Sequence, residues 1–264
     1  MDNKRLAQFI TNLGQFNNYG STVAQTQKAL EIGSSHPLNS NNDDRVIFED
    51  TLKAIKKVLP IEFGSESIIA INAQFTGDSD EQPYHPGKLR WALQDPRDKI
   101  YVPLWPSLEG GAVNYTPPLA IEKEDLESIA QEWRASSKQI HHAWTIFARL
   151  AKLQPFQDGN KRTALIAANH ALGALETQNY LMPPTGRHYK IFMDNLMTFY
   201  GAGLEGAEDI SENEALKNFL AHAIQMTLNQ RPQTKFEERF QKAQENKRTL
   251  IEGAPNDLTK DPKL

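Results

Sequence analysis

Cysteine is absent from the chain, which excludes in one step a disulfide framework, cysteine-ligated zinc, iron–sulfur ligation and thiol catalysis. No excess of positive charge is present either: 29 Lys and Arg stand against 33 Asp and Glu, for a net charge of -4 at pH 7. That balance argues against a broad cationic face that coats nucleic acid or an anionic membrane and leaves room for a local basic site only. No apolar run approaches the roughly 18 residues of a membrane span, and the opening MDNKRLAQFI lacks an apolar stretch followed by a small-residue cleavage site. These absences predict a soluble, cytoplasmic protein with neither nucleic acid nor membrane as partner. There is also no repeat at a solenoid period and no long low-complexity tract.

What is present is helical periodicity. Apolar residues recur at helical spacing over roughly 3–31, and again over roughly 46–59, where Val46, Ile47, Leu52, Ile55 and Val58 fall near one face before Pro60. The polar cluster GSSHPLNSNNDDR at 33–45 separates the two. A short helix is expected over Ser65–Phe75, then a turn at His85–Trp91 that leads into extended chain. From Lys99 to Pro118, β-formers flank Glu109-Gly110-Gly111 and predict a hairpin. Its prolines make it an edge or a free flap, because proline cannot donate to a central ladder. Helices are expected over Glu122–Ala135, Ser137–Leu153, Lys161–Leu175, His188–Tyr200 and Glu212–Leu228, the second of them with Ile140, Ala143, Trp144, Phe147, Leu150 and Ala151 on a broad apolar face. The fold class is therefore mainly α with one small β-hairpin. Its expected parts are an N-terminal helical region at 1–64, a core domain at 65–229 and, over 230–264, a charged helix or disordered tail with little to bury.

Chemistry concentrates in LQPFQDGNKRTALIAA, from Leu153 to Ala168, where a helix breaker, an acid, a glycine, an amide and two cations meet at a helix start. Gly159 lets backbone approach a phosphate closely, and the amides of Asp158 through Lys161 are first-turn donors backed by the positive end of the helix dipole. Arg162 can grip two phosphate oxygens in a fork, Lys161 adds a point charge, and Asp158 can hold the Mg²⁺ that bridges nucleotide phosphates. These residue types suit a nucleotide polyphosphate. They also suit a plainer role, a capped helix whose first-turn cations are solvated.

The stretch PFQDGNKR, Pro155 to Arg162, resembles the signature HxFx(D/E)GN(G/K)R of the Fic/Doc (Fido) family. The PGKLR turn at 86–90, the proline-rich hairpin ending in Tyr115-Thr116-Pro117-Pro118 and the apolar helix before the motif follow in the family's order. The resemblance covers roughly residues 65–200. It implies a Fic-type helical bundle with a hairpin flap over the motif loop, on which a target protein docks as an added strand. Tyr101, Val102, Trp105 and Tyr115 are the flap candidates for that docking, although hairpin aromatics also serve cross-strand packing. It further implies transfer of AMP from ATP, with Mg²⁺, to a hydroxyl side chain of the target. In the Doc-like branch, whose motif carries a lysine as Lys161 does here, the chemistry includes phosphorylation. Carried over residue by residue, Phe156 anchors the loop, Asp158 binds Mg²⁺, Gly159 and Asn160 hold the α-phosphate region and Arg162 neutralises the outer phosphates.

This chain departs from the signature at its first position. Gln154 stands where the resemblance places a histidine general base, and glutamine can orient a hydroxyl but cannot take its proton; loss of a general base lowers a rate by about 10²–10⁴-fold. Leu165 stands where the GNGRxxR form has its second arginine. No other histidine takes over: His170 lies about 15 Å farther along the helix, and His141 and His142 precede Gln154 by about three turns. As neighbours on a helix His141 and His142 diverge, which makes a poor metal site, and His85 and His188 cannot be placed. Fic-type enzymes are commonly restrained by a helix bearing (S/T)xxxE(G/N), whose glutamate pairs with the motif arginine. Ser67–Asn72, SIIAIN, has that frame with Ile71 in the glutamate's place and reads more simply as a packing helix, and TLIEG at 249–253 is one residue short. An inhibitory partner in trans, such as an antitoxin, becomes a candidate. Arg187, His188 and Lys190 could add charge near a phosphate or form a solvated face, and Asn169 has no assigned role. The readings are an impaired transferase or pseudoenzyme (as would suit a toxin), a transferase with another base, a non-catalytic nucleotide- or peptide-binding module, and a helical interaction protein.

Overall fold

The structure is a computed structural model that describes residues 2–39, 42–79, 82–106 and 112–230. The chain clusters into residues 1–229 and residues 230–264. The second unit, apart from Gln230, lies outside the described residues, and with it the expected charged tail and the TLIEG stretch. So does the Glu109-Gly110-Gly111 turn of the hairpin.

The helix expected over 3–31 is two helices, α1 (Asn3–Gly14) and α2 (Val23–Ile32). The break has a local cause. Asn18 takes the left-handed conformation at φ 56°, which asparagine tolerates better than most residues. A Cβ on Gly14 would stand 2.4 Å from the Cβ of Tyr19, so the chain can fold back there only on a glycine. Thr22 and Gln25 then start α2 with a reciprocal capping box. Next come α3 (Asn42–Val58), with Asp43 and Asp44 in its first turn where the helix dipole favours them, and α4 (Ser65–Asn72), which stops short of Phe75.

Strands β1 (Val102–Pro106) and β2 (Ala112–Tyr115) pair antiparallel, with Val102 opposite Tyr115, Pro103 opposite Asn114 and an irregularity before Pro106. Among the described residues they form a two-stranded sheet of their own, and Pro103 and Pro106 of β1 suit an edge strand. After α5 (Lys123–Ala135) and α6 (Ile140–Leu153) the chain enters α7 (Asn160–Ala171). The single helix expected over 161–175 is interrupted: Gly173 at φ 69° separates α7 from the short α8 (Ala174–Thr177). The helices α9 (Arg187–Gly201) and α10 (Glu212–Gln230) complete the described chain.

Helix α7 is buried from Thr163 to His170, the state of a helix enclosed on all faces. The aromatic centre beside it joins Trp144 and Phe147 of α6 to Phe192 of α9 and Phe219 of α10, with ring centroids 5.0–6.3 Å apart. The N-terminal helices share this core. Phe9 stacks on Tyr180 at 4.6 Å and Phe16 on Phe147 at 5.9 Å. Among the described residues no helix is long and apolar enough to cross a membrane.

Candidate functional site

The loop between α6 and α7 is built on a left-handed residue. Gln154 closes α6 at φ 51°, ψ 58°, a conformation that costs a non-glycine residue about 1 kcal/mol or more unless its surroundings hold it. They do. Its N–H donates to the Leu150 carbonyl at 3.2 Å, and its own carbonyl accepts the Nε of Arg90 at 2.5 Å. Arg90 is 1% exposed, and its other nitrogens donate to the carbonyls of Asp98 (3.0 Å) and Pro118 (2.9 Å). One guanidinium thus ties the motif loop to the segment before the hairpin and to the residue just after it.

The Gln154 residue is 6% exposed and its side chain is bonded at both ends: Nε2 donates to the Ala151 carbonyl at 2.7 Å and Oε1 accepts Asn160 Nδ2 at 2.9 Å. Asn160 also brackets Phe156, accepting its N–H at 2.9 Å and donating to its carbonyl at 2.7 Å. Phe156 is completely buried, in line with an anchoring role. The Tyr200 hydroxyl lies beside the Gln154 side chain. Burial pushes its pKa well above the usual phenol range, and a side-chain interaction with Gln154 opposes that shift.

Gly159 caps α7 at φ 75°, and a Cβ there would stand 2.6 Å from Phe75 Cδ2. Glycine is required at this position on both counts. Asn72, at the end of α4, holds the loop from the other side: its Nδ2 reaches the Asp158 carbonyl (3.0 Å) and Thr163 Oγ1 (3.2 Å), while its Oδ1 accepts the Gly87 N–H (2.9 Å). The helix start therefore has its first-turn amides at a rigid backbone corner, the geometry that suits an anion.

A cleft of about 160 Å³ opens there, walled by Asn17, Ile100, Gln154, Gln157, Asp158, Gly159, Asn160 and Lys161. It brings together most of the residues expected from the motif. Arg162 is not among its walls: the guanidinium is 1% exposed and stacks on Phe75, 4.8 Å from the ring centroid. Pockets that enclose a whole drug-sized ligand run to about 300–1,000 Å³, so this cleft of about 160 Å³ is too small to enclose one. Asp158 is its one carboxylate, and among the described residues no group of three or more His, Asp or Glu could form a metal cage. That donor set fits Mg²⁺ held by one carboxylate together with substrate phosphates and water.

The remaining expected site residues fall elsewhere. Tyr101 is 62% exposed beside the flap, whereas Tyr115 turns inward, its hydroxyl donating to the Lys152 carbonyl at 2.9 Å and its ring 5.3 Å from Tyr200. Tyr115 is a packing residue at the flap base and not part of an outer docking face. Val102 is half-buried against the core, and the Trp105 side chain lies outside the described residues. Asn169 is structural, fixing Leu181 through its N–H (2.7 Å) and carbonyl (3.0 Å). Ile71 is fully buried. His170 is bonded to the Ile61 carbonyl, away from the loop. The rings of His141 and His142 lie 3.8 Å apart instead of diverging, because His142 folds back to accept the Gln139 N–H. Sequence reasoning missed Asn17, Ile100 and Gln157 in the cleft and Asn72 and Phe75 behind it. Of these only Gln157, inside the motif, carried a local signal.

Residues 62–172 match the family model described as the Fic/DOC family. Among curated proteins no sequence matches the chain. Among solved structures it is similar to a Fic domain containing signaling protein from Bacteroides thetaiotaomicron, at 15% identity over 86% of this chain and 84% of that one, with a TM-score of 0.57. It is also similar to Fic-1 (residues 134–508) from C. elegans, at 15% identity over 94% of this chain and 66% of that one, with a TM-score of 0.56. At such identities the likeness concerns the fold.

Proposed function

We propose, from the match of residues 62–172 to the Fic/DOC family, that the protein binds Mg·ATP at the Asp158–Lys161 loop and is built for AMP transfer to a target-protein hydroxyl, a reaction that Gln154 impairs. The observation that carries this reading is the state of Gln154. In AMP transfer the attacking hydroxyl oxygen bonds to the α-phosphorus, pyrophosphate leaves, and the hydroxyl proton needs an acceptor. Gln154 occupies the position of that acceptor, and its carboxamide has no basic lone pair at neutral pH. Its oxygen is already taken by Asn160.

The loop's other groups are separate from this defect. The first-turn amides of α7 and Lys161 would hold the phosphate oxygens, and Asp158 would hold Mg²⁺, which supplies neutralisation of phosphate charge. A target would pair with an open edge of the β1–β2 flap, and an inhibitory partner such as an antitoxin remains part of this reading. Lys161 favours a second reading, Doc-like phosphorylation. The closed Gln154–Asn160 network favours a third, a nucleotide- or peptide-binding module without catalysis.

The test is a paired transfer assay: the protein and its Gln154→His form, each with cell extract, Mg²⁺ and ATP labelled on the α- or the γ-phosphate. Labelling by Gln154→His alone from α-label is the expected result. Labelling from the γ-phosphate only would replace AMP transfer by phosphorylation. If neither form labels any protein while both bind Mg·ATP, the binding module is correct.

A further inference from the structure

We infer that Asn17, outside the family-matched segment 62–172, is a phosphate-contacting specificity residue of the motif cleft. The inference deepens the reading of that cleft as a polyphosphate site and rests on it. Asn17 ends a 3-10 turn, Gln15–Asn17, and its neighbours are fixed on both sides. Phe16 stacks on Phe147 of α6, the helix that delivers the motif, and contacts Tyr189 of α9 at 6.3 Å. The Tyr189 hydroxyl donates to the Gln15 carbonyl at 3.0 Å. Asn18 follows in the left-handed conformation, and the Tyr19 N–H bonds back to the Gly14 carbonyl at 3.0 Å. The turn is thus bolted to the elements that carry the loop, and Asn17 forms the cleft wall beside Gly159, Asn160 and Lys161.

The chemistry selects the phosphates over the base. Asn17 shares a cleft of about 160 Å³ with Gly159, Lys161, the Asp158 carboxylate and the carboxamides of Gln154, Gln157 and Asn160, and among the described residues Ile100 is the one apolar side chain in its wall. A purine needs a flat apolar or aromatic face to stack on, which this wall does not offer. A carboxamide N–H₂ supplies donors to phosphate oxygens without adding charge, and one built on a pre-anchored turn loses little entropy on binding.

The experiment is calorimetric titration of the full chain with Mg·ATP, Mg·triphosphate and adenosine, for the unaltered protein and for Asn17→Ala, Asn17→Asp and Lys161→Ala, with melting curves to verify folding. Asn17→Ala should weaken ATP and triphosphate alike by about 3- to 10-fold, the loss of one hydrogen bond. Asn17→Asp keeps the shape of the side chain and should weaken both by at least about 10-fold through like-charge repulsion. Adenosine binding should not change. If Lys161→Ala weakens triphosphate while both Asn17 variants bind it as the unaltered protein does, or if Asn17→Ala weakens adenosine and spares triphosphate, the inference is overturned and the cleft reading stands. If the unaltered protein binds neither ATP nor triphosphate, both fall together.

Discussion

Arg90 is where the fold and the candidate site can be perturbed by one substitution. Its guanidinium is 1% exposed and donates to the carbonyls of Gln154, Asp98 and Pro118. Asp98, whose Oδ2 accepts the Trp91 N–H at 2.7 Å, supports the positive charge electrostatically, while burial draws the Arg90 pKa below its ordinary value. In Arg90→Met the side chain keeps its apolar reach but leaves three buried carbonyls without their donors. Each hydrogen bond to a charged group contributes about 1.5–3 kcal/mol. Release from the desolvation cost of burying the guanidinium offsets part of that sum, and breaking one side of a buried charged cluster typically costs about 3–5 kcal/mol. We expect Arg90→Met to lose that much, read as a fall of more than about 1 M in the urea midpoint by circular dichroism. Arg90→Lys, which keeps the charge but has no planar fork, should fall between the two. The left-handed Gln154 is held through the same guanidinium, so triphosphate binding should weaken in both variants at temperatures where the fold persists. A stability for Arg90→Met within about 1 kcal/mol of the parent, the range of ordinary substitutions, would refute the role assigned to this residue.

Gly159→Ala places a Cβ 2.6 Å from Phe75 Cδ2 at a φ of 75°, and we expect a loss of about 2–3 kcal/mol, seen as a lower melting temperature together with weaker anion binding. His170 is buried, with one ring nitrogen on the Ile61 carbonyl at 2.8 Å and the other without a partner. Burial lowers its pKa below 6.5, against smaller opposing contributions from Ile61 and Glu176. The unfolded chain therefore binds this proton first, so stability is complete above the unfolded value of about 6.5 and falls as pH drops from there toward the folded value. In pH-dependent urea titrations the stability difference between the parent and His170→Gln should shrink below that pH, and a difference constant from pH 7.5 to 5 would contradict it.

The helices that carry the core were legible because their apolar faces are periodic: Ala143, Trp144, Phe147, Leu150 and Ala151 of α6 are buried as expected from spacing alone. The hairpin was legible from its β-formers and prolines, and the tight turn into α7 from the single glycine before a helix start. What escaped the sequence depends on contacts between distant segments. The break between α1 and α2 turns on Tyr19 lying against Gly14, which no local propensity records. Arg162 reads as a cation in the first turn of a helix, free to meet a phosphate, and only the fold brings the Phe75 ring over it. Arg90 reads in the sequence only as the last residue of the PGKLR turn, and its three acceptors are 8, 28 and 64 residues away. The cleft walls Asn17 and Ile100 were invisible for the same reason.

The neutral residues around the loop bear jointly on its function. The family resemblance leads one to expect two ionisable groups there, a histidine base on the loop and a restraining glutamate on the neighbouring helix, and the chain has Gln154 and Ile71. Helix α4 nevertheless packs against the motif helix α7. Its Ile71 is completely buried, so a glutamate there would bring a charge into the core, and the helix holds the loop through the neutral side chain of Asn72. Gln154 engages the loop through the Asn160 side chain, so two neutral carboxamides, those of Asn72 and Gln154, take part in holding it. In the proposed reading the missing acceptor at position 154 is the defect, and among the described residues Ile71 stands where the restraining frame on α4 would carry its glutamate. On that basis Gln154→His should be the limiting change for transfer, with no accompanying need to relieve inhibition at position 71. If Gln154→His binds Mg·ATP but transfers nothing until α4 is also altered, the two replacements are not linked in this way and α4 restrains the loop by a contact other than a charge.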